Sequence, residues 1–323
     1  MNLLDTSNCT YEQKIEIIAM ILALSTLWRS PLLFCLAVII SHATGNVESK
    51  TLEMKGFGVI RYHFEDSPSD LPHRIVLMLA VGTDMNVADY DLISLQVIKA
   101  NPALVVILLD HVPGLFVKFF PKRVADLVEA TKKQLPNLVP TLDGNAPIII
   151  GGHSAGGEAA IGAMSRLSFT PVGYFGLDPF PILGSSRNIN VPSMVWGYSK
   201  TTCAVNVNAA AKAAYIIGDK SYRVLYQIQN SENSLTHCSF TDKGCQFCPC
   251  SGNVEVVRAL VGQSVNLFVN AIFEGVFERS KFIIDSTAVA VKLLVNSEEP
   301  KGPSTGSVDA FTYVRDLIRS PFR

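Results

Sequence analysis

The sequence predicts an α/β protein with a mostly parallel central sheet and helices on both of its faces. Two observations carry that expectation. Between residues 58 and 276, apolar runs of strand length alternate with helical stretches, and strands buried on both faces read as near-continuous apolar runs because helices cover each side. One such run, Pro147-Ile148-Ile149-Ile150, leads into Gly151-Gly152-His153-Ser154-Ala155-Gly156-Gly157. This is a Gly-x-Ser-x-Gly pattern where a strand should turn into a helix. The bulk composition agrees: 323 residues, 48% hydrophobic and 17% charged, suit one large α/β domain with a well-buried core. A formal net charge of −1 leaves no electrostatic footprint for nucleic acid.

The chain opens with a leader over residues 1–45. Apolar runs at 15–28 and 32–40 are split by Arg29-Ser30-Pro31, and Ser41-His42-Ala43 places small residues at −3 and −1 of a cleavage after Ala43. Read from Met20, the segment has the makeup of a signal peptide. Asp5 and Glu12, upstream of it, are atypical of such a leader. The two runs together could also span a bilayer, so an uncleaved membrane anchor is the second reading. Either way the expectation is an address on the secretory, endomembrane or extracellular route, with membrane association through this segment.

A catalytic domain is expected over residues 46–296. Strand signals fall at 58–63 (GVIRYH), 74–81 (RIVLMLAV), 103–109 (ALVVILL), 147–150, 172–177 (VGYFGL), 192–197 (PSMVWG) and 222–228 (YRVLYQI), the last of these taken as the final strand. Helical stretches lie between them at 87–100, 122–134, 158–167 and 208–215, and a long amphipathic helix at 253–276 closes the domain. Residues 297–323 form a tail that begins with a polar Pro/Gly/Ser-rich stretch.

Cysteines bear on both compartment and chemistry. Cys203, Cys238, Cys245, Cys248 and Cys250 cluster late in the domain, and Cys9 and Cys35 lie in the leader. Cys245-x-x-Cys248-x-Cys250 hints at zinc, but no histidine or second CxxC completes a four-ligand set at standard spacing. In a secretory context two disulfides are the expectation, leaving one thiol over, and no metal or organic cofactor is expected.

The Gly-x-Ser-x-Gly turn is the nucleophile elbow pattern of α/β-hydrolases. There a serine sits on a tight strand-to-helix turn and its hydroxyl projects from the end of the sheet. An activated serine needs a general base, and the base needs an acid that fixes its tautomer. His237, in Leu235-Thr236-His237-Cys238-Ser239-Phe240, is the only histidine downstream of Ser154. His153 is expected to point away from the site. Carboxylates between Ser154 and His237 are Glu158, Asp178, Asp219 and Glu232. Glu158 falls in the helix behind the serine, Asp219 in a turn before a strand, and Glu232 in the loop of the histidine itself. Asp178 ends a strand and precedes Pro179, where sheet enzymes build their sites. The candidate set is therefore Ser154, Asp178 and His237. The N–H of Ala155 and one from the loop Gly82-Thr83-Asp84-Met85, either Thr83 or Asp84 with Thr83 taken as the candidate, would bind the oxyanion. His111, Leu115, Phe116 and Phe119 lie in or beside an unusually apolar loop after a strand, suited to line the pocket for a long chain, although they could equally pack a helix onto the sheet.

With these residues placed, the chain resembles the chlorophyllases and the related platelet-activating-factor acetylhydrolases, a branch of the α/β-hydrolases. The likeness rests on Gly152-His153-Ser154-Ala155-Gly156-Gly157, on Gly176-Leu177-Asp178-Pro179, and on Cys203-Ala204 with Asn206, Asn208, His237-x-x-Phe240-x-Asp242 and the following cysteines. Ala155 stands where chlorophyllases usually have a basic residue, and Thr236-His237 replaces Gly-His. The resemblance implies an α/β-hydrolase fold and a serine carboxylic-ester hydrolase that splits chlorophyll into chlorophyllide and phytol, with delivery to a plastid by an ER-derived route. A lipase or phospholipase-like enzyme acting on another long-chain ester is the second reading. A catalytically silent fold used for binding is the third.

Overall fold

The computed structural model describes residues 46–66, 75–115, 117–180, 190–199, 210–229, 235–242, 254–285 and 289–296. The leader, the tail, Phe116 and every cysteine except Cys238 fall outside them. What is described is an α/β fold: a nine-stranded mixed sheet in the order β1-β2-β4-β3-β5-β6-β7-β8-β9. The strands are β1 (Asn46–Met54), β2 (Gly58–Asp66), β3 (Ile75–Ala80), β4 (Leu104–Asp110), β5 (Ile148–His153), β6 (Gly173–Leu177), β7 (Ser193–Tyr198), β8 (Arg223–Ile228) and β9 (Val291–Val295). Strands β3 to β8 run parallel, while β2 lies antiparallel to β4 and β9 antiparallel to β8.

The central strands form because their side chains have nowhere polar to go. All residues of β3, β4 and β5 are buried, with alternate residues feeding two cores. Leu77, Val106, Ile149 and Trp196 belong to one core, and Val76, Ile107, Ile150 and Val195 to the other. This is the period-2 consequence of helices packed on both faces.

The helices are α1 (Asp91–Ala100), α2 (Pro121–Leu138), α3 (Ser154–Met164), α4 (Ala210–Ile217) and α5 (Val254–Glu274). Asn86 starts the first of them. Its side chain accepts from Ala88 N, Asp89 answers to the Asn86 N–H, and a 3₁₀ turn (Val87–Tyr90) leads into α1. Helix α5 is long and apolar enough to cross a membrane by composition, yet Val257, Leu260, Val261, Val265 and Phe268 are buried in the core that also holds Ile93 and Val97 of α1.

Three boundaries differ from the sequence expectation. Helix α3 begins at Ser154 rather than at residue 158. Two edge strands, β1 and β9, were not anticipated, so residues 222–228 are not the final strand. Both are poor in the apolar pattern that signals a strand. Most of NVESKTLEM in β1 is exposed, and VKLLV in β9 buries only its last two residues. Edge strands need one pairing partner and little core.

Candidate functional site

Parallel register builds the site at the carboxyl ends of the strands. Ala80 pairs with Gly152, and His153 pairs with Leu177. The residues that follow, Ser154 and Asp178, therefore leave two neighbouring strands at the same level, about 4.8 Å being the usual strand spacing. Both adopt the left-handed region, with φ of 53° at Ser154 and 40° at Asp178. That region costs a non-glycine residue on the order of 1 kcal/mol or more and is found where a turn is fixed by its surroundings.

The surroundings here are tight. A Cβ at Gly156 would lie 2.3 Å from the carbonyl oxygen of Val81 and 2.4 Å from that of Ala80, so helix α3 can approach β3 only with glycine at that point. The Phe180 N–H donates to the Ser154 carbonyl at 3.1 Å, which ties the two strand ends together.

His237 reaches the same place from the far side. It opens a 3₁₀ turn (His237–Phe240) after β8, and its Nδ1 lies 2.8 Å from Asp178 Oδ2. Ser154, Asp178 and His237 are all buried. Burial alone pulls the His237 imidazole down to about 4 and pushes the Asp178 carboxyl well up. The direction that matters is that of His237. A neutral imidazole with Nδ1–H given to the carboxylate keeps a lone pair on Nε2, which is the state that can take a proton.

Several bonds hold the turn. The Thr236 N–H donates to Ser239 Oγ at 2.8 Å, and Thr241 Oγ1 donates to the Cys238 carbonyl at 2.8 Å. Arg258 of α5 donates to the Thr241 carbonyl. The Asp242 N–H donates to the Asp89 carbonyl at 2.7 Å, while Asp242 Oδ2 accepts from the Leu92 N–H at the start of α1 at 3.0 Å. Cys238, next to His237, is buried, and the other cysteines lie outside the described residues.

The remaining candidates stand as follows. Ala155 is the second residue of α3, whose first-turn N–H groups have no helical acceptor and whose N-cap, His153, supplies no side-chain cap. Thr83 follows Gly82, where an added Cβ would lie 3.2 Å from Ser154 Cβ. The Gly82 N–H donates to Tyr90 Oη at 3.0 Å, and no hydrogen bond among the described residues takes up the Thr83 N–H. His111 is buried, with Nε2 donating to the Lys118 carbonyl at 2.9 Å. It lines a cavity of ≈ 350 Å³ with Val112, Pro113, Leu115 and the turn between β1 and β2, and Ser154, Asp178 and His237 are not among the lining residues. Leu115 is 54% exposed and Phe119 is partly buried; Phe116 is outside the described residues. Asp219 accepts from the Ser221 N–H in the turn before β8, at the end of that strand opposite to the site. Glu232 is outside the described residues. Among the described residues no three of His, Cys, Asp and Glu gather as a metal site.

One expectation is overturned. His153 does not point away: its ring stacks on that of His237, with centroids 4.4 Å apart and planes 30° from parallel. The sharp turn at Ser154 carries the serine out of the sheet and leaves the preceding side chain lying under the histidine turn. Asp242 is legible only as part of the His237-x-x-Phe240-x-Asp242 likeness, and Tyr90 and Arg258, which also support this arrangement, carry no sequence signal of their own. They are found only once α1, α5 and the histidine turn are packed together.

No family model matches this chain, and among curated proteins none is significantly similar to it.

Proposed function

We propose that the chain is a serine carboxylic-ester hydrolase of α/β-hydrolase fold. The observation that carries the reading is the Asp178–His237 hydrogen bond beside a serine held at φ 53° on a strand-to-helix turn. Ser154 Oγ attacks the ester carbonyl carbon while His237 Nε2 takes its proton, and Asp178 holds the imidazole in the tautomer that allows this. The oxyanion is bound by the N–H groups of Ala155 and Thr83. Collapse of the tetrahedral intermediate expels the alcohol, which receives the proton from His237 and leaves an acyl-Ser154. Water, deprotonated by His237, then releases the acid. No metal or organic cofactor takes part.

The substrate class we propose is a long-chain ester, with chlorophyll and its phytyl group first. We assign the long chain to the apolar segment after β4 that carries Leu115, Phe116 and Phe119, with His111 at its start. The leader delivers the chain to the secretory or an ER-derived plastid route and offers it a membrane contact. Purified protein offered chlorophyll and a long-chain p-nitrophenyl ester side by side tests this. Release of chlorophyllide supports the chlorophyllase reading, and hydrolysis of the p-nitrophenyl ester alone moves the enzyme to lipase-like esters. Hydrolysis of neither removes the proposal and leaves a binding fold.

A further inference from the structure

His153 is almost fully buried, and both of its ring nitrogens are engaged. Nδ1 lies 2.8 Å from Tyr90 Oη, and Nε2 lies 3.0 Å from the backbone carbonyl of His237. Proton accounting fixes every role. The His237 carbonyl can only accept, so Nε2 carries the hydrogen and Nδ1 has the lone pair. Tyr90 Oη therefore donates to Nδ1, while it accepts from the Gly82 N–H at 3.0 Å. Each hydrogen in the run Gly82 N–H to Tyr90 Oη to His153 to His237 C=O points the same way. Burial and the neighbouring His237 hold the His153 ring well below the ordinary histidine range, so it stays neutral and the run is not reversed by protonation.

This run joins three segments that leave three different strands: the Gly82–Thr83 loop after β3, the turn after β5, and the histidine turn after β8. Phe240 closes the side of the ring at 6.1 Å between centroids, edge to face. The run also commits the Gly82 N–H to Tyr90, so the next donor along that loop is the Thr83 N–H.

We infer that His153 and Tyr90 are positioning residues that set the placement of the base His237 relative to Ser154 and to the Thr83 N–H, without exchanging a proton with substrate. This rests on the hydrolase reading above. A side chain at position 153 has to accept at one end and donate at the other. Glutamine can keep the donor to the His237 carbonyl, whereas leucine keeps neither bond. Displacement of a base by about 1 Å costs on the order of 10²-fold in rate.

The test uses the full chain and its His153→Leu, His153→Gln and Tyr90→Phe variants. It reads kcat and KM on a long-chain p-nitrophenyl ester, the rate of fluorophosphonate labelling at Ser154, and thermal melting by circular dichroism. Expected for His153→Leu is a fall in kcat of about 100-fold with KM within about twofold, and for His153→Gln recovery to within about tenfold of the parent. Tyr90→Phe should lose about tenfold in kcat and in labelling rate. Should His153→Leu fail to melt cooperatively, Tyr90→Phe, which lacks one oxygen, decides alone. Wild-type kcat and labelling in folded His153→Leu or Tyr90→Phe overturn the inference while leaving the hydrolase reading intact. So does a His153→Gln as slow as His153→Leu. A parent protein that neither labels at Ser154 nor turns over the ester overturns the hydrolase reading, and the positioning role falls with it.

Discussion

Asp178 Oδ2 stands 2.8 Å from His237 Nδ1 although 59 residues separate them in the chain, and both side chains are shut off from solvent. A buried carboxylate facing a buried imidazole is costly to keep unless the pair share a hydrogen bond of this kind. It also leaves His237 with one tautomer.

Asp178→Asn replaces the acceptor with an amide that can present its N–H to the ring and so favours the wrong tautomer. Turnover should fall on the order of 10³- to 10⁴-fold. Asp219→Asn, at the other end of β8, should stay within about twofold. Steady-state kinetics on the three proteins check this, and a damaging Asp219→Asn would move the acid elsewhere.

Gly156→Ala should be disproportionately destabilising. The new Cβ meets the backbone oxygens of Val81 and Ala80 rather than a side chain that could swing aside. The expected cost of the clash is about 1–3 kcal/mol or more, against roughly 0.5–1 kcal/mol gained from alanine's helix propensity. Urea unfolding compares it with the parent. A variant as stable as the parent would mean that α3 does not approach β3 as closely as described.

Acid should destabilise the fold before carboxylates titrate. Burial holds His63, His111 and His237 near 4 and His153 well below the ordinary histidine range, against about 6.5 for an unfolded histidine. Between those values the unfolded chain binds more protons than the folded one, so stability falls as pH falls from about 6.5 towards 4. Asp178, raised by burial, works in the opposite direction and offsets part of the loss. Each uncompensated proton contributes about 1.4 kcal/mol per pH unit. Urea midpoints at pH 7.5 and 5.5 should differ in that sense, and the acid limb of kcat/KM should lie below 6.5. Equal midpoints would contradict the burial of these rings.

Cys238 follows His237 directly and is buried. Peptide mapping under non-reducing conditions should find it bridged to one of Cys203, Cys245, Cys248 or Cys250. Mild reduction should lower activity before it unfolds the domain, because the turn that carries the base loses a tether. A free thiol at Cys238 in secreted protein excludes the bridge.

What the sequence made legible was what depends on local pattern. Strands β3, β4 and β5 announce themselves because both faces are buried, and the Gly-x-Ser-x-Gly turn marks where one of them ends. Asp178 and His237 were singled out by elimination and lie 2.8 Å apart; His237 has no rival downstream, Glu158 lies in α3, and Asp219 lies in the turn before β8. Strands β1 and β9 were hidden because an edge strand can be mostly exposed and still pair. The direction of the His153 ring was hidden for a different reason. It depends on the backbone reversal at Ser154 and on where a turn 84 residues later comes to rest, and neither is written in the neighbouring residues.

The central claim is that Ser154 is the nucleophile. Turnover of a long-chain p-nitrophenyl ester by the parent and by Ser154→Ala, with both shown folded by circular dichroism, tests it most directly. The account predicts that the parent turns over and that Ser154→Ala loses about 10⁴-fold or more, since the substitution removes the attacking oxygen and little else. Ser154→Ala turning over at the parent's rate would contradict it.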